Sequence, residues 1–431
     1  MKIHSSTGLR GTIAVPGDKS VSHRSVMLGA LADGVTHVTG FLMGEDCLST
    51  IDCFRKMGVQ IEVGDDHTVT VHGVGLHGLK APSVQLYTGN SGTTTRLISG
   101  ILAGQAFPVS LTGDASIEKR PMGRIITPLR QMGADITGVD DKFCPLCIRP
   151  GKLHGMTYTL PVASAQLKSA ILLAGLYADT PTTVIEPAPS RDHTERMLRA
   201  LGCRVETEGC RITVYPPESL TAVDVTVPAD ISSAAFFLVA GAIIPGSELT
   251  IRNVGVNPTR DGVIEVLAAM GADLTLSNRR DAGEPICDIT VRSSKLHGTE
   301  IGGARIPRLI DELPVLAVAA AFAEGETVIR DAAELKIKES NRIAAMVTEL
   351  TRAGADVTET EDGMIIRGGK PLTGASFETY ADHRIAMSMA VCALACHGDS
   401  EIRNADVVAI SYPDFYDTLR QLGGECHAAD L

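Results

Sequence analysis

Two hydrophobic patterns alternate along the chain, and each of them recurs six times. The first is a continuous apolar stretch, rich in Ala and Leu, that begins directly after a polar residue. It predicts buried helices over residues 19–32, 91–103, 164–178, 231–242, 311–323 and 382–396. Helices that are apolar on every side belong inside a hydrophobic core.

The second pattern is an amphipathic helix that ends at a Gly and is followed by a strand. The six residues at this place are Gly58, Gly133, Gly202, Gly271, Gly354 and Gly423. Gly just beyond a helix predicts a left-handed C-cap, which turns the chain out of the helix and into the strand.

The repeating unit is therefore strand, buried helix, strand, amphipathic helix and further strands, over about 65 to 85 residues. Solenoid repeats are usually about 20 to 50 residues long, so two closed α/β domains of three units each fit better. Short polar stretches after a strand place the crossings near 17–20 and 227–232. We expect one domain over 20–228 and another over 1–19 plus 229–431.

Composition limits the classes of function. The chain has 431 residues, of which 44% are hydrophobic, and a net charge of −12. This charge argues against nucleic acid as a main partner, because such binding depends on an excess of Lys and Arg. The longest apolar runs are shorter than the roughly 20 residues that span a bilayer, so we expect no membrane partner.

The ten Cys residues follow a start with no secretory signal pattern, which predicts reduced thiols and a cytoplasmic protein. Cys144 and Cys147 form a single CxxC pair, whereas a structural zinc site usually has four ligands. We expect no metal.

Polar and charged residues stand at the starts of five of the six predicted buried helices. They are Lys19, Ser20, Arg24, Asn90, Gly92, Arg96, Ser164, Gln166, Lys168, Asp311, Glu312, Asp382, His383 and Arg384. We expect Ser20 to cap the first helix. Several helix N-termini with cations beside them, converging on one cleft, would bind a multiply charged anion.

Two further segments add candidate charges. Arg120 lies beside Pro121 in a predicted loop and is suited to clamping a phosphate through two hydrogen bonds. The segment from Lys338 to Arg342 is expected to open a helix that runs to Leu350. Each motif alone has an ordinary alternative, namely a helix cap, a tight turn or a solvated charged face.

Taken together, the motifs resemble the EPSP synthase (3-phosphoshikimate 1-carboxyvinyltransferase) family, and they occur in its order over nearly the whole chain. The motifs are Pro16-Gly-Asp-Lys-Ser-Val-Ser-His-Arg24, Gly89-Asn-Ser-Gly-Thr93, Arg120-Pro-Met122, Lys338-Glu-Ser-Asn-Arg342 and Ala381-Asp-His-Arg384. The resemblance implies two domains, each of three βαβαββ units around a pseudo-threefold axis, with the active site in the cleft between them.

The resemblance also implies a reaction: transfer of the enolpyruvyl group of phosphoenolpyruvate to the 5-hydroxyl of shikimate 3-phosphate, with release of phosphate. It proceeds by addition and elimination in the shikimate pathway of aromatic amino acid biosynthesis. No metal or other cofactor is implied, because Arg and Lys residues supply the charge stabilisation.

The family resemblance assigns roles to individual residues. Glu339 is the implied acid for C3 of phosphoenolpyruvate, Asp311 the base for the hydroxyl, and Lys19 an acid/base at the departing phosphate, with His383 in the catalytic group. The residues implied for shikimate 3-phosphate are Lys19, Ser20, Arg24, Ser164, Ala165, Gln166, Arg191, Asp311 and Lys338. Those implied for phosphoenolpyruvate are Lys19, Asn90, Gly92, Arg120, Gln166, Arg342 and Arg384.

The chain also departs from the common family pattern. Ala165 stands where many members have a second Ser, Ser190-Arg191 replaces a Tyr of the enterobacterial type, and Ile410 replaces a phosphate-binding Lys of that type. With Leu97 after Arg96, these differences indicate the second class of the family. Gly92 leaves room for the inhibitor glyphosate but does not by itself determine sensitivity.

Three other classes of protein fit the sequence less well than the EPSP synthase family. The sister family that acts on UDP-N-acetylglucosamine has a Cys where this chain has Ala115, and usually Lys-Asn where it has Lys19-Ser20. A P-loop kinase would need Gly directly before Lys19, where Asp18 stands. A non-catalytic anion-binding scaffold would not need both Asp311 and Glu339.

We expect a monomer that closes on its first substrate.

Overall fold

The structure is a computed structural model that describes residues 1–281 and 283–428. In this part of the chain the helices α1 to α13 are, in order, Lys19–Leu31, Glu45–Lys56, Gly92–Leu102, Gly123–Gln131, Ala165–Gly175, His193–Ala200, Ile231–Ile243, Gly262–Ala269, Ile306–Leu309, Leu313–Phe322, Arg342–Arg352, His383–Ala395 and Phe415–Gln421. Short 3₁₀ helices span Ile117–Lys119, Gly303–Arg305, Ala333–Ile337 and Ala405–Ile410.

Most of the strands are short. In order, β1 to β24 are Lys2–Ile3, Arg10–Ile13, Val35–Thr39, Gln60–Val63, Val69–His72, Leu86–Tyr87, Val109–Thr112, Asp135–Val139, Phe143–Arg149, Thr157–Thr159, Thr182–Ile185, Val205–Glu208, Arg211–Val214, Val225–Thr226, Glu248–Gly255, Asp273–Asp281, Pro285–Arg292, Glu300–Ile301, Gly325–Ile329, Asp356–Glu359, Met364–Gly368, Ser376–Phe377, Ser400–Ile402 and Cys426–His427.

The chain divides into two compact units, each with its own hydrophobic core. One unit is Gly17–Val227, and the other combines Met1–Pro16 with the chain from Pro228 onward. The sequence interpretation had placed the two crossings after residues 19 and 228.

Each unit contains three four-stranded sheets of one design. In the unit Gly17–Val227 the strand orders are β14-β3-β5-β4, β6-β7-β9-β8 and β10-β11-β13-β12. In each sheet the first two strands are parallel and the other neighbours are antiparallel. In the other unit the orders are β2-β15-β17-β16, β18-β19-β21-β20 and β22-β23-β1-β24.

The first two strands of the chain pair with strands from its second half. Strand β1 lies between β23 and β24, with Lys2 opposite both Glu401 and His427. Strand β2 runs parallel to β15, with Arg10 opposite Glu248. The sheet that receives β1 is therefore built from opposite ends of the sequence, and the sheet that receives β2 joins the start of the chain to strands within residues 248–292.

The core of each unit contains three buried helices: α1, α3 and α5 in one, and α7, α10 and α12 in the other. These are the six helices that the apolar runs predict, with ends shifted by at most three residues. The prediction is confirmed. No helix in the described part of the chain is both long enough and apolar enough to span a membrane.

The six predicted glycine caps are also confirmed. The φ angles are 89° at Gly58, 100° at Gly133, 88° at Gly202, 90° at Gly271, 93° at Gly354 and 94° at Gly423. This left-handed conformation costs Gly little, because it has no Cβ. Each of these residues follows one of the helices α2, α4, α6, α8, α11 and α13, and a strand comes next.

Two helix starts differ from the sequence prediction. Asp18, not Ser20, caps α1, and its Oδ1 accepts a hydrogen bond from the Val21 N–H at 2.9 Å. A carboxylate is a strong acceptor at a helix N-terminus, so the helix begins at Lys19, two residues before the start that a Ser20 cap would give. The helix predicted to open at Lys338 begins at Arg342, because Asn341 caps it and Lys338 is extended.

Candidate active site

The N-terminal halves of α1 and α3 both contact α5 through polar side chains. Arg96 on α3 donates to Gln166 Oε1 on α5 at 2.6 Å, and Arg24 on α1 donates to Ser169 Oγ on α5 at 2.9 Å. We call the predicted site residues of this unit the Lys19 cluster: Lys19, Ser20, Arg24, Asn90, Gly92, Arg120, Ser164, Ala165, Gln166 and Arg191. Neighbouring helix N-termini with cations beside them favour bound anions.

Lys19 is the first residue of α1 and forms an ion pair with Asp46 in the first turn of α2. Asp46 is buried, so this pair is little weakened by solvent. The pairing fixes the ammonium group at the start of α1. Sequence reasoning did not single out Asp46, because only the fold brings α2 beside Lys19.

Four other members of the Lys19 cluster surround the start of α3. Arg120 donates to Asn90 Oδ1 at 2.8 Å, and Gln166 donates to Thr93 Oγ1 at 3.0 Å. A Cβ on Gly92 would lie 2.8 Å from Arg96 Nη1 and 3.3 Å from Arg120 Nη1. Sequence analysis placed Arg96 only among the residues at helix starts. The structure brings its guanidinium group to Gln166.

The remaining members lie on α1, on α5 and in the loop before α6. Ser164 caps α5 by accepting a hydrogen bond from Leu167 N–H at 3.4 Å, and Ala165 is the first residue of that helix. Arg24 donates to the Ser20 carbonyl at 2.9 Å. Arg191 is half-buried in the loop between β11 and α6.

His23 lies in α1 beneath this cluster and is fully buried. Its Nδ1 lies 2.7 Å from Thr50 Oγ1. Burial, followed by the charges of Lys19 and Arg24, lowers the pKa of His23 well below its ordinary value. The imidazole is therefore neutral at neutral pH.

The second group, which we call the Asp311 cluster, consists of Asp311, Lys338, Glu339, Arg342, Asp382, His383 and Arg384. At its centre is Arg342, whose side chain is 1% exposed. Its guanidinium nitrogens lie 2.8 Å from Asp382 Oδ2, 3.3 Å from Asp311 Oδ1 and 2.5 Å from Glu339 Oε2. Burial alone would lower the pKa of Arg342, but the three carboxylates raise it, so the group stays charged.

Asp382 fixes the geometry of this cluster, although sequence analysis included it only among the polar helix starts and gave it no role in the reaction. It caps α12 and also accepts a hydrogen bond from the Ser340 hydroxyl at 3.0 Å. Burial would raise its pKa, but the charge of Arg342 lowers it. Asp382 is therefore an ionised and fully buried carboxylate.

The turn before Asp382 has an unusual backbone. Tyr380 and Ala381 have φ angles of 55° and 53°, in the left-handed region that residues with a Cβ rarely adopt. The Tyr380 hydroxyl donates to Glu349 Oε1 at 2.8 Å, and the Glu378 N–H donates to Glu349 Oε2 at 3.1 Å. The buried Glu349 thus fixes the turn that delivers Asp382.

Two of the three acidic members, Asp311 and Glu339, stay partly open to solvent. The side chains of Asp311 and Glu339 are 15% and 18% exposed. Arg384 donates to the Asp311 carbonyl at 3.2 Å, whereas His383 is buried. Lys338 is half-buried. Two accessible carboxylates beside cations provide groups that can accept or donate a proton.

A metal has no evident ligand set in the described residues, which contain no group of three or more His, Cys, Asp or Glu side chains suited to hold one. Charge stabilisation in both clusters comes from Lys and Arg instead. Such side chains can bind phosphates and carboxylates through charge-assisted hydrogen bonds.

Solved structures define the class of the fold. The enolpyruvyl transferase NikO from Streptomyces tendae matches with a TM-score of 0.80 at 20% identity, over 98% of this chain and 97% of that one. An EPSP synthase from Acinetobacter baumannii matches with a TM-score of 0.88 at 51% identity, over 98% and 97%. The chain therefore has the enolpyruvyl transferase fold.

Sequence comparisons identify the family within this class. The profile of EPSP synthase (3-phosphoshikimate 1-carboxyvinyltransferase) matches residues 3–419. A 3-phosphoshikimate 1-carboxyvinyltransferase of Thermoanaerobacter sp. (strain X514) is 55% identical over 96% of this chain and 98% of its own length. One from Geobacillus kaustophilus (strain HTA426) is 57% identical over 96% and 98%. The chain belongs to the EPSP synthase family of transferases.

Proposed function

We propose that this chain transfers the enolpyruvyl group of phosphoenolpyruvate to the 5-hydroxyl of shikimate 3-phosphate and releases phosphate. The observation that supports this reaction best is the Asp311 cluster, where Asp311 and Glu339 share the buried Arg342. Addition to a double bond needs an acid, and activation of a hydroxyl needs a base. Two partly exposed carboxylates meet both needs.

In this proposal the Lys19 cluster binds anionic groups of the substrates. Arg120, Gly92 and Asn90 bind the phosphate of phosphoenolpyruvate, with Gln166 and Lys19 beside them. The residues that bind shikimate 3-phosphate are Lys19, Ser20, Arg24, Ser164, Ala165, Gln166, Arg191, Asp311 and Lys338. The contact between Arg96 and Gln166 supports this role, because it holds the amide in one orientation.

The Asp311 cluster carries out the proton transfers. Asp311 takes the proton of the 5-hydroxyl as it attacks C2 of phosphoenolpyruvate, and Glu339 protonates C3. A tetrahedral ketal with a C3 methyl group results. In its breakdown the Glu339 carboxylate takes one proton back from C3, the C2–C3 double bond re-forms, and the C2–O bond to phosphate breaks while Lys19 gives the phosphate a proton. Arg342 and Arg384 bind the carboxylate of phosphoenolpyruvate. The buried His383 acts through Asp382, whose pKa it helps to lower.

The test is phosphate release from phosphoenolpyruvate, with either shikimate 3-phosphate or UDP-N-acetylglucosamine as acceptor. Release only with shikimate 3-phosphate is expected. The Asp311→Asn variant should lose about 10²- to 10⁴-fold in kcat, because the base is gone. Asp66→Asn is the matched control, since Asp66 is exposed and its side chain accepts a hydrogen bond from the nearby Thr68 hydroxyl. Release with the nucleotide sugar alone would overturn the proposal.

We propose in addition that the protein is a cytoplasmic monomer and a target of glyphosate. All ten Cys residues lie in the described part of the chain and are free thiols, which supports a reducing compartment. Sedimentation velocity measures the oligomeric state. If glyphosate inhibits the protein and phosphoenolpyruvate relieves the inhibition by competing for the Lys19 cluster, that result would support the proposal that the protein is a target of glyphosate.

A further inference from the structure

Lys168 is a fully buried cation that the proposed reaction does not use. It lies in the first turn of α5, two residues after Gln166, and its side chain is 1% exposed. Its Nζ lies 2.7 Å from Glu195 Oε1 and 3.0 Å from Glu186 Oε2. Burial alone would lower the pKa of Lys168, but the two carboxylates raise it, so the ammonium group remains charged.

Glu186 and Lys168 both hold the turn that precedes Arg191. The Ser190 hydroxyl donates to Glu186 Oε1, and the Ser190 N–H donates to Glu186 Oε2 at 3.4 Å. Lys168 donates to the Ser190 carbonyl at 3.2 Å. Every polar group of Ser190 therefore has a buried, charged partner, and the next residue is Arg191.

Glu195 differs from Glu186 in one informative way. It contacts the same Lys168 and is equally buried, with side chains 2% exposed in both cases. Its other oxygen, Oε2, has no hydrogen-bond partner among the described residues. Glu195 therefore balances the charge of Lys168, whereas the Ser190 turn is held by Glu186 and Lys168.

The neighbouring residues hold a second member of the Lys19 cluster. Ser169 Oγ lies 2.7 Å from Thr194 Oγ1, and Arg24 donates to both, at 2.9 and 2.7 Å. Residues 168–169 of α5 and 194–195 of α6 thus form two adjacent polar bridges. One bridge fixes Arg24, and the other leads through Lys168 and Glu186 to Arg191.

The burial of the charges on Lys168 and Glu186 indicates that their pairing serves more than stability. A buried ion pair rarely stabilises a fold more than apolar side chains of the same size would. The buried pair of Lys168 and Glu186 is better explained by the geometry that it imposes on the turn at Ser190. Both residues are buried, and the proposed reaction assigns neither of them a contact with substrate.

We propose that Lys168 and Glu186 are positioning residues for shikimate 3-phosphate, because together they fix the Ser190 turn and thereby orient Arg191. This inference rests on the proposed function of the Lys19 cluster. The inference predicts that changes at Lys168 or Glu186 affect binding of shikimate 3-phosphate more than binding of phosphoenolpyruvate. The reason is that the Ser190 turn adjoins Arg191, which is assigned to shikimate 3-phosphate alone.

The experiment compares Glu186→Gln with Glu195→Gln, which remove the two carboxylate charges that flank Lys168. The Glu186→Gln variant should raise KM for shikimate 3-phosphate by about tenfold, the effect of losing one charge-assisted hydrogen bond. KM for phosphoenolpyruvate should change less than about twofold. At a similar loss of thermal stability, Glu195→Gln should change KM for shikimate 3-phosphate by less than about threefold.

Three further variants keep the test decisive. Ser190→Ala removes only a hydroxyl and should raise the same KM even if Glu186→Gln does not fold. Lys168→Arg, which keeps the charge, should retain a lower KM for shikimate 3-phosphate than Lys168→Met. A lower melting temperature with unchanged KM values, or an equal rise in both KM values, would overturn the inference.

The wild-type protein separates this inference from the proposed function. If wild-type protein releases no phosphate, the proposed function fails. Calorimetric titration of shikimate 3-phosphate then still tests the positioning role by its dissociation constant. No difference in that constant between Glu186→Gln and wild type, or no binding to wild type at all, would overturn the positioning role.

Discussion

Gly92 shows how the absence of one side chain shapes the Lys19 cluster. A Cβ at this position would lie 2.8 Å from Arg96 Nη1 and 3.3 Å from Arg120 Nη1. Both atoms are ends of flexible side chains, so Gly92→Ala should fold but displace the two guanidinium groups. We expect KM for phosphoenolpyruvate to rise by about tenfold, equivalent to about 1.4 kcal/mol.

Steady-state kinetics with each substrate varied in turn checks this prediction. KM for shikimate 3-phosphate in the same variant is the internal control, and it should change much less. Equal increases for both substrates would mean that the new methyl group disturbs the whole cluster rather than the two arginines.

His23 gives the fold a dependence on pH. Burial, Lys19 and Arg24 lower its pKa in the folded protein, while Asp18 opposes them weakly. In the unfolded chain the pKa is about 6.5, so below that pH the unfolded state binds a proton that the folded state does not. Stability should therefore fall as the pH drops below about 6.5, by up to about 1.4 kcal/mol per pH unit.

Urea unfolding of wild type and His23→Gln between pH 7.5 and about pH 5 measures this effect. The variant should be less stable at pH 7.5, since it loses the packing of the imidazole, but its stability should depend less on pH. Parallel pH profiles for the two proteins would show that other groups cause the acid sensitivity.

At the scale of elements, α3 and α5 approach each other closely at Gly100. A Cβ there would lie 2.2 Å from the Ala170 carbonyl oxygen, which belongs to the backbone of α5. The Gly100→Ala change must push the two helices apart, and we expect it to cost about 1–3 kcal/mol of unfolding free energy.

Gly29 on α1 provides the matched control. It is also a glycine in a buried helix, but the nearest atoms to its Cβ would belong to the Thr36 side chain, at 3.2 Å. A side chain adjusts more readily than a backbone, so Gly29→Ala should cost less. A larger loss for Gly29→Ala in thermal or urea unfolding would contradict this account.

Local patterns allowed most elements to be predicted from sequence. The six buried helices depend on runs of apolar residues, and the six glycine caps on one residue type beyond a helix. Helix starts were harder, because adjacent polar residues compete to cap. At α1 the carboxylate of Asp18 prevails over the hydroxyl of Ser20, and sequence alone does not rank such neighbours.

Site residues were predictable when a motif contained them and unpredictable when only the fold supplied the partner. Lys19 stands in a motif, but its partner Asp46 does not and is supplied by packing between elements. Arg342 and Asp382 stand in two different motifs, and only the fold pairs them. The roles of Glu186 and Lys168 depend on a turn and two helices meeting inside the core. No spacing along the chain reveals those contacts.

At the scale of the whole molecule, two separate cores predict different behaviour for two fragments. A fragment of residues 17–227 contains every strand of its three sheets and a complete core. It should fold alone and unfold cooperatively on heating. A fragment of residues 228–431 lacks β2 and also β1, which lies inside the sheet β22-β23-β1-β24.

Circular dichroism and hydrogen exchange can test this difference. The fragment 228–431 should leave β23 and β24 unprotected, and a peptide of residues 1–16 should restore protection by supplying β1 and β2. Full protection without the peptide would show that β1 is dispensable for the sheet.

The pairing of β1 with β23 and β24 has a consequence for how the protein is made in the cell. The amino group of Met1 donates to the carbonyl of Ile402, 401 positions further along the sequence. At roughly 5–20 residues per second, a ribosome needs roughly 20–80 s to supply that partner. Throughout this time β1 lacks its partner strands, whereas β2 can pair once β15 has been made. We therefore expect β1 to be the segment that chaperones shield longest during synthesis.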